Sequence, residues 1–339
     1  MTRRVIFLML AVLAPAALGA GAPAATVQDI VGQVSVDSYR DLLDNHLYTH
    51  AGDARGFDTV GNPRYPAAEH DAARDSILGE FAALGLSTTL DPFTFTSTSG
   101  KVYLNCNNVV AVKRGERRPG DVYILGAHYD SFQNPGADDD ASGVAAILEA
   151  ARVLSSYEFE ATLIFIAFDA EEKGLYGSMH YASGATGQNI CGMVSLDMIA
   201  YNPPGEHHDK VNVYGRTASA PIKQALADAV TAYSGSIAPD IGGDVPYSDH
   251  APFEAQGFQA CLLIEHAWGA NGKYHQLTDS VDTAGYIDYA YATAMTRGAV
   301  GYAAAAAGIV PEPATMLMLT LGMLTLIARR ASAAADGPR

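Results

Sequence analysis

A histidine and several carboxylates stand directly after apolar runs at separate points of the chain. The run 122–125 is typical of a buried strand, and His128 and Asp130 follow it closely. Residues two apart in an extended segment point to the same side, so His128 could bind a metal ion while Asp130 orients its ring. Three consecutive aspartates, 138–140, then precede a predicted helix. Adjacent carboxylates repel one another, and a folded site that keeps them usually supplies a cation or several donors.

The same order of apolar run and acidic residue recurs twice. The uninterrupted run 162–168 leads into a pair of glutamates, and the shorter run 193–196 leads into an aspartate. Ligands bind at the carboxyl ends of strands in open α/β sheets, so we expect these groups to share one site. The predicted members from strand ends are His128, Asp139, Glu171, Glu172 and Asp197.

Imidazole and carboxylate groups suit zinc and other divalent cations. Five such side chains, one of them bridging, can hold two ions about 3.5–4 Å apart. The adjacent Glu171 and Glu172 could then supply a ligand and a general base. Taken alone, an aspartate-rich loop is more typical of a solvated turn or a calcium loop, and a glutamate pair is more typical of a solvated loop. Their conjunction with His128 favours a catalytic metal site.

Composition excludes several other classes of protein. The chain has 339 residues, of which 49% are hydrophobic and 17% charged, so a large folded core is expected and global disorder is not. A net charge of −16 argues against nucleic acid as a partner, and we interpret the one basic cluster, 113–118, as a solvated hairpin turn. No Cys-x-x-Cys motif occurs, which argues against a thiolate zinc site. One disulfide with one free thiol, or three buried free thiols, remain open for Cys106, Cys191 and Cys261.

Alternating strand and helix patterns predict a single α/β domain with a mixed, mostly parallel central sheet and helices on both faces. The predicted helices are 37–47, 67–84, 142–154, 179–185, 220–233 and 286–307. The predicted strands are 90–96, 103–112, 122–125, 162–168, 193–196, 211–214 and 260–264.

The N-terminal segment predicts export. Residues 1–25 combine Arg3 and Arg4, an apolar stretch at 5–13 and small residues that fit a cleavage site at 22–24, which is the pattern of a secretory signal. An uncleaved anchor is the alternative. The catalytic domain predicted after the signal spans 26–309.

The C-terminal segment 310–339 is a separate targeting element. Pro-Glu-Pro at 311–313 precedes an apolar run, 314–328, and a basic pair, 329–330. It resembles the PEP-CTERM sorting signal, which implies recognition and removal by a membrane sorting protease. The implied location is extracellular, or the cell surface or outer envelope, of a Gram-negative bacterium. An ordinary C-terminal transmembrane anchor is the alternative.

Six sequence motifs lie at 126–131, 136–143, 170–178, 196–198, 248–250 and 274–279. Their order and spacing make residues 69–305 similar to the secreted bacterial leucyl aminopeptidases, co-catalytic zinc exopeptidases related to glutamate carboxypeptidase II. The resemblance implies the zinc-exopeptidase (phosphorylase/hydrolase-like) fold and an exported metallo-aminopeptidase. That enzyme would remove apolar N-terminal residues from peptides with two Zn²⁺ per chain, a bridging hydroxide and a glutamate general base. We predict a monomer.

The resemblance also implies individual roles for the ligand residues. Asp139 matches the bridging carboxylate. His128 and Asp197 match ligands of separate zinc ions, and Glu172 and His275 likewise match ligands of different ions.

Further roles follow from the same resemblance. Glu171 matches the general base, and we predict Glu171 and Asp130 as the catalytic residues; Asp130 and Asp279 also match partners that orient His128 and His275. A non-proline cis peptide is implied between residues 139 and 140.

Other functions remain possible. A glutaminyl cyclase of related fold would use one zinc and no hydrolysis, and a dipeptidase or carboxypeptidase would use the same site on other substrates. A non-catalytic binding module would be expected to lack at least one ligand, and none is missing. The donor to the developing oxyanion stays open between Tyr247, His250 and others.

Overall fold

The computed structural model describes residues 25–57 and 67–311. The predicted signal up to residue 24 and the predicted tail from residue 312 lie outside the described residues. Within the described ranges, no helix is both long enough and apolar enough to cross a bilayer. Residues 25–310 form one compact unit.

A single eight-stranded sheet runs through this unit, in the spatial order β1-β2-β4-β3-β5-β8-β6-β7. Neighbours β4, β3, β5 and β8 are mutually parallel, whereas β1, β2 and β6 each join an antiparallel neighbour. The fold class predicted from the sequence is therefore confirmed. The strands are β1 (Ser87–Thr96), β2 (Val102–Lys113), β3 (Arg118–His128), β4 (Ala161–Phe168), β5 (Asn189–Leu196), β6 (Lys210–Tyr214), β7 (Ala238–Ile241) and β8 (Ala260–Glu265).

Helices cover both faces of the parallel strands, which explains their unbroken apolar sequences. All eight residues of β4 are buried. Helices α4, α6 and α8 pack together on one face, and α5 and α7 pack together on the other. The helices are α1 (Val27–Val31), α2 (Val36–Asp41), α3 (Ala68–Ala83), α4 (Ala141–Leu154), α5 (Tyr176–Gly184), α6 (Ala220–Tyr233), α7 (His250–Ala255) and α8 (Tyr289–Ala307).

Strand β3 lies at the point where the chain reverses its direction of winding. It pairs with β4 on one side and β5 on the other, although β4 and β5 both follow it in sequence. Helices leading to strands on opposite sides leave a crevice beyond the carboxyl end of such a strand. The crevice of this sheet therefore opens at His128, the last residue of β3.

Most predicted elements are found within a few residues of their expected ends, and four expectations need correction. The predicted helix 37–47 divides into α2 and a π-helical turn, Leu42–His46. Strand β7 and helix α7 were not predicted. The basic cluster is not a hairpin turn, because β4 lies between β2 and β3. All three cysteines are free, so the disulfide alternative is wrong and the alternative of three free thiols holds, except that Cys191 is only half-buried.

Candidate metal centre

The crevice at the ends of the parallel strands gathers the predicted site. His128 ends β3, Glu171 and Glu172 follow β4, and Asp197 follows β5. Two loops complete the group, one before α4 and one after β8. The side chains that meet there are His128, Asp139, Glu171, Glu172, Asp197 and His275.

The carboxylate of Asp139 lies between the two histidines. Its Oδ1 is 3.2 Å from Nε2 of His128, and its Oδ2 is 3.3 Å from Nε2 of His275. Oδ1 of Asp197 lies 3.9 Å from Nε2 of His128, and Oε2 of Glu172 lies 3.1 Å from Nε2 of His275. Two groups of ligand-type side chains therefore share the carboxylate of Asp139.

The pairing of the other four residues differs from the one implied by the family resemblance. His128 and Asp197 were expected at separate ions, as were Glu172 and His275, but the structure places the members of each pair together. That part of the prediction is wrong. The physical reason is strand order: β3 and β5 are neighbours in the sheet, so the residues at their ends are neighbours too.

The three consecutive aspartates have different surroundings. Asp140 accepts hydrogen bonds from the backbone amides of His128, Gly143 and Met198, at 3.0–3.1 Å. Asp138 accepts from the amide of Ala200 and from the Asn271 side chain. Among the described residues, no backbone amide, hydroxyl or side-chain amide donates to the Asp139 carboxylate, which faces the two histidines instead. The predicted cis peptide between residues 139 and 140 is present.

The donor set fits divalent cations on either side of Asp139. Zinc–ligand bonds of about 2.0–2.2 Å place two ligands of a tetrahedral ion roughly 3.3–3.6 Å apart, close to the contacts above. Oε1 of Glu172 and Nε2 of His275 are, like Oδ2 of Asp139, buried without hydrogen-bond partners. Buried polar atoms are normally paired, so these three atoms fit a site that binds a cation.

Electrostatics give the same indication. Burial raises the pKa of Glu172 to about 7, and the Asp139 charge adds to that effect. Burial also raises the pKa of Glu171 well above its usual value, with further contributions from Asp249 and Glu172. Burial works against charge on His275, but the carboxylates of Asp139 and Glu172 outweigh it and raise its pKa to about 10. At Glu172 and His275 cations would replace the protons, because metal ligands bind in their deprotonated forms.

Asp130 acts mainly on the glutamate pair. Its two carboxylate oxygens accept from the amides of Glu171 and Glu172, at 3.0 and 3.3 Å. Nδ1 of His128 is nearer to the Asp130 carbonyl oxygen, at 3.0 Å, than to the carboxylate, at 3.6 Å. The expected orienting contact therefore exists, but the backbone makes it. Asp130 does not line the cavity, so it is a positioning residue and not a catalytic one.

Asp279 also supports a different group from the one expected. Its carboxylate accepts from the backbone amides of Asp138 and Asp139, at 2.7 and 3.2 Å. Among the described residues it makes no hydrogen bond to His275. Asp279 thus fixes the loop that carries Asp139, and its predicted role as the partner of His275 is wrong.

A buried ion pair supports the loop that carries Glu171 and Glu172. Nε2 of His70, on α3, lies 2.8 Å from Oδ1 of Asp169, and both side chains are fully buried. Asp169 also accepts from the amide of Asn107, and its own amide donates to the Asn108 side chain. The polar run in β2 therefore holds the residue two positions before Glu171. No motif in the sequence connects these distant segments.

Replacing His70 with Gln is expected to lower the free energy of unfolding by about 3–5 kcal/mol near pH 6, because it leaves Asp169 buried without a charge partner. Burial lowers the pKa of a histidine, but the Asp169 charge and hydrogen bond outweigh it and raise the pKa of His70 to about 9. The pair therefore stabilises fully below the unfolded-state pKa of about 6.5 and is lost as pH rises through about 9. Denaturant unfolding of both proteins between pH 6 and 10 measures the difference.

The half-exposed pair of His46 and Glu80, 2.8 Å apart, is the matched control. His46→Gln should cost no more than about 1 kcal/mol at any of these pH values. A wild-type to His70→Gln difference that stays constant from pH 6 to 10 would contradict the ion-pair assignment.

Arg55 is a second supporting residue that the sequence did not identify. Its buried guanidinium donates to four backbone carbonyl oxygens, among them those of Tyr129 at 2.9 Å and Gly136 at 2.8 Å. These bonds tie together both ends of the segment between His128 and Asp139. A virtual Cβ on Gly136, whose φ is +57°, would lie 2.4 Å from the Asp139 carbonyl, so the turn there requires glycine.

A cavity of about 600 Å³ opens beside the acidic groups. Its wall away from Glu171 and Asp197 is apolar, and no Lys or Arg of the described residues lines it. Tyr247 lines the cavity and is 66% exposed, whereas His250 is buried and does not line it. Of the two candidates for the oxyanion donor, only Tyr247 is within reach of a bound substrate. The apolar wall comprises Leu175, Met198, Tyr214, Leu262, Ile264 and Trp268.

Comparison with known proteins identifies the family. The sequence profile of peptidase family M28 matches residues 108–302, more than half of the chain. The chain belongs to peptidase family M28. This confirms the resemblance seen in the sequence motifs.

The M28 chain is similar to the aminopeptidase YwaD of Bacillus subtilis, with 31% identity over 187 residues, covering 52% of this chain and 40% of YwaD. It spans less than half the length of the curated relatives it matches. The C-terminal residues 310–331 match the PEP-CTERM protein-sorting motif.

Two solved structures illustrate the fold of this M28 chain. The Legionella pneumophila LapA aminopeptidase matches with a TM-score of 0.66 and 22% identity, over 83% of this chain and 74% of LapA. A Porphyromonas gingivalis glutaminyl cyclase matches with a TM-score of 0.65 and 20% identity, over 80% of this chain and 98% of the cyclase. The fold alone therefore does not separate the two activities.

Proposed function

We propose that this chain is an exported aminopeptidase that binds two zinc ions and releases apolar N-terminal residues from peptides. The observation that carries the proposal is the pair of ligand groups that share Asp139. His128 and Asp197 would hold one ion and Glu172 and His275 the other. Two zinc ions so held would polarise the scissile carbonyl and lower the pKa of the attacking water.

The remaining residues would handle protons and orientation. Glu171 would accept a proton from the attacking water and pass it to the leaving amine. Its support is specific, because Asp130 holds the backbone amides of both glutamates, and Glu172 joins the ligand group of His275 whereas Glu171 lines the cavity and belongs to neither ligand group. Tyr247 would donate a hydrogen bond to the oxygen of the tetrahedral intermediate.

The cavity favours an aminopeptidase over a carboxypeptidase. A C-terminal carboxylate would need a cation, and no Lys or Arg among the residues described lines the cavity. A free α-amine is positively charged and would be attracted to Glu171 and Asp197. The apolar wall around Trp268 suits an aliphatic or aromatic first side chain.

The targeting segments support export. The PEP-CTERM match at 310–331 agrees with the tail predicted at 310–339, and we propose that a membrane sorting protease acts on it. A catalytic domain at 26–309 agrees with the compact unit at 25–310. We propose location at the outer envelope or outside the cell of a Gram-negative bacterium, with the signal at 1–25 removed, and a monomeric state.

The purified full-length protein is expected to cleave leucine anilide at least about 10-fold more efficiently, by kcat/KM, than arginine anilide, because the cavity wall is apolar and lacks a carboxylate at its far end. Chelation should abolish activity, and zinc should restore it at two equivalents per chain. Activity that survives removal of the metal, or a preference for arginine, would refute the proposal. Restoration at one equivalent together with cyclisation of N-terminal glutamine would instead establish a glutaminyl cyclase.

A further inference from the structure

The side chain of His275 is the most exposed of the five proposed zinc ligands. It is 26% exposed, against 1% for that of His128. Nδ1 of His128 lies 3.0 Å from a backbone carbonyl oxygen, which fixes that ring. Nε2 of His275 faces Asp139 and Glu172, and no hydrogen bond to its Nδ1 is found in the part of the chain that the structure describes. The His275 ring therefore lacks the hydrogen bond that fixes His128.

Two aromatic rings stack on His275. The ring of Phe132 lies 4.3 Å from it, centroid to centroid, with an interplanar angle of 10°. The ring of Tyr274 lies 3.8 Å from it at 25°. Two nearly parallel rings at these distances would overlap if they shared one face of the imidazole. Phe132 and Tyr274 therefore lie on opposite faces and sandwich the His275 ring.

Ordinary core packing does not account for this arrangement. Phe132 and Tyr274 are 47% and 44% exposed, unusually high values for large aromatic side chains. Within the described residues, neither belongs to any of the buried apolar clusters. Phe132 follows β3 and Tyr274 follows β8, so the rings arrive from distant parts of the chain. Their shared contact is the imidazole of His275.

We propose that Phe132 and Tyr274 are positioning residues that hold the His275 imidazole by stacking, in place of a hydrogen-bonded partner. Histidine ligands usually donate their second ring nitrogen to a carboxylate or carbonyl, which fixes ring rotation before metal binds. Stacked rings restrict the same rotation. They keep Nε2 directed between the carboxylates of Asp139 and Glu172. The inference rests on the proposed function, since it concerns one of the two proposed zinc groups.

The test is calorimetric titration of the metal-free full-length protein with Zn²⁺, repeated with Co²⁺ to record the visible absorption of each bound equivalent. Phe132→Ala should weaken one of two equivalents about 10-fold, at the lower end of the effect of losing a ligand's partner, and leave the other within twofold. Phe132→Tyr and Tyr274→Phe keep the rings and should match the wild type. Tyr274→Ala should weaken the same equivalent as Phe132→Ala.

Leu277→Ala is the matched control. Leu277 is 74% exposed, lies in the same loop two residues beyond His275 and does not line the cavity. It should leave both equivalents unchanged, which separates ring stacking from general loosening of the loop.

Two results would overturn the inference while the proposed function stands. One is that Phe132→Ala binds both equivalents as the wild type does; the other is that it weakens both equally, together with a lower melting temperature of the metal-free protein. A wild-type protein that takes up fewer than two equivalents would overturn the proposed function and this inference with it.

Discussion

Replacing Glu171 with Gln is expected to lower kcat on leucine anilide by about 10²–10⁴-fold, while the protein still binds two zinc ions. The substitution keeps the size of the side chain and the backbone amide that donates to Asp130. The side-chain amide of glutamine, however, cannot accept a proton from water. Glu171 lines the cavity and belongs to neither ligand group, so its loss should leave both groups intact. Steady-state kinetics and metal analysis of the same preparation measure the two effects.

The neighbouring residue provides the control. Glu172→Gln should also lower activity, but through loss of affinity for one zinc ion, because Glu172 lies 3.1 Å from His275 in that group. Adding zinc in excess should then recover part of the activity of Glu172→Gln and none of that of Glu171→Gln. Near-normal kcat in Glu171→Gln would remove the general-base assignment, and loss of zinc from it would make Glu171 a ligand.

The sequence predicted where the site would form, because fully buried parallel strands appear as unbroken apolar runs. The polar residues that end such runs must meet at one edge of the sheet. β4 shows this most clearly, since seven of its residues form an unbroken apolar run and Glu171 stands three positions after its end. The family motifs then supplied His275, whose loop no periodic pattern predicts.

Pairings across the molecule could not be predicted in the same way. Asp197 lies beside His128 because β5 is next to β3 in the sheet. The order of strands in a sheet cannot be derived from the sequence of any one segment. The predicted partners of Asp130 and Asp279 are wrong for a related reason. Backbone amides bind these carboxylates, and every residue except proline carries a backbone amide, so no residue type marks the contact. Short, exposed β7, with a proline in a run of four residues, offers almost no strand pattern.

The buried supports were missed because their partners are distant in sequence. Arg55 gave no motif, and its role exists only where the segments around Tyr129 and Gly136 approach each other. His70 lies on the buried face of an ordinary helix, and its role depends on the contact with Asp169, which is 99 residues away in the sequence. Both residues lie outside the region matched by the family profile.

Replacing Asp139 with Asn is expected to weaken both zinc ions at once, by at least about 100-fold each, because a neutral amide offers one oxygen where the carboxylate offers two. Its Oδ1 faces His128 and its Oδ2 faces His275, and among the ion pairs of the described residues no other carboxylate contacts both histidines. Activity should fall below detection. Titration of the metal-free variant with zinc, compared with Glu172→Gln, distinguishes loss of both ions from loss of one.

Asp140→Asn tests whether this effect belongs to the position of Asp139 or to any aspartate of the triplet. Asp140 is close enough to His128 and Asp197 to be a ligand by distance, but three backbone amides already occupy its oxygens. Asp140→Asn should therefore lower the melting temperature of the metal-free protein, since charged hydrogen bonds contribute about 1.5–3 kcal/mol each. Asp139→Asn removes the negative charge that lies 3.2 and 3.3 Å from the ring nitrogens of His128 and His275, so its metal-free form should also melt lower, and zinc stoichiometry separates the two variants. If Asp139→Asn loses only one ion, or if Asp140→Asn loses both without losing stability, then Asp139 is not the shared ligand and the two-ion assignment fails.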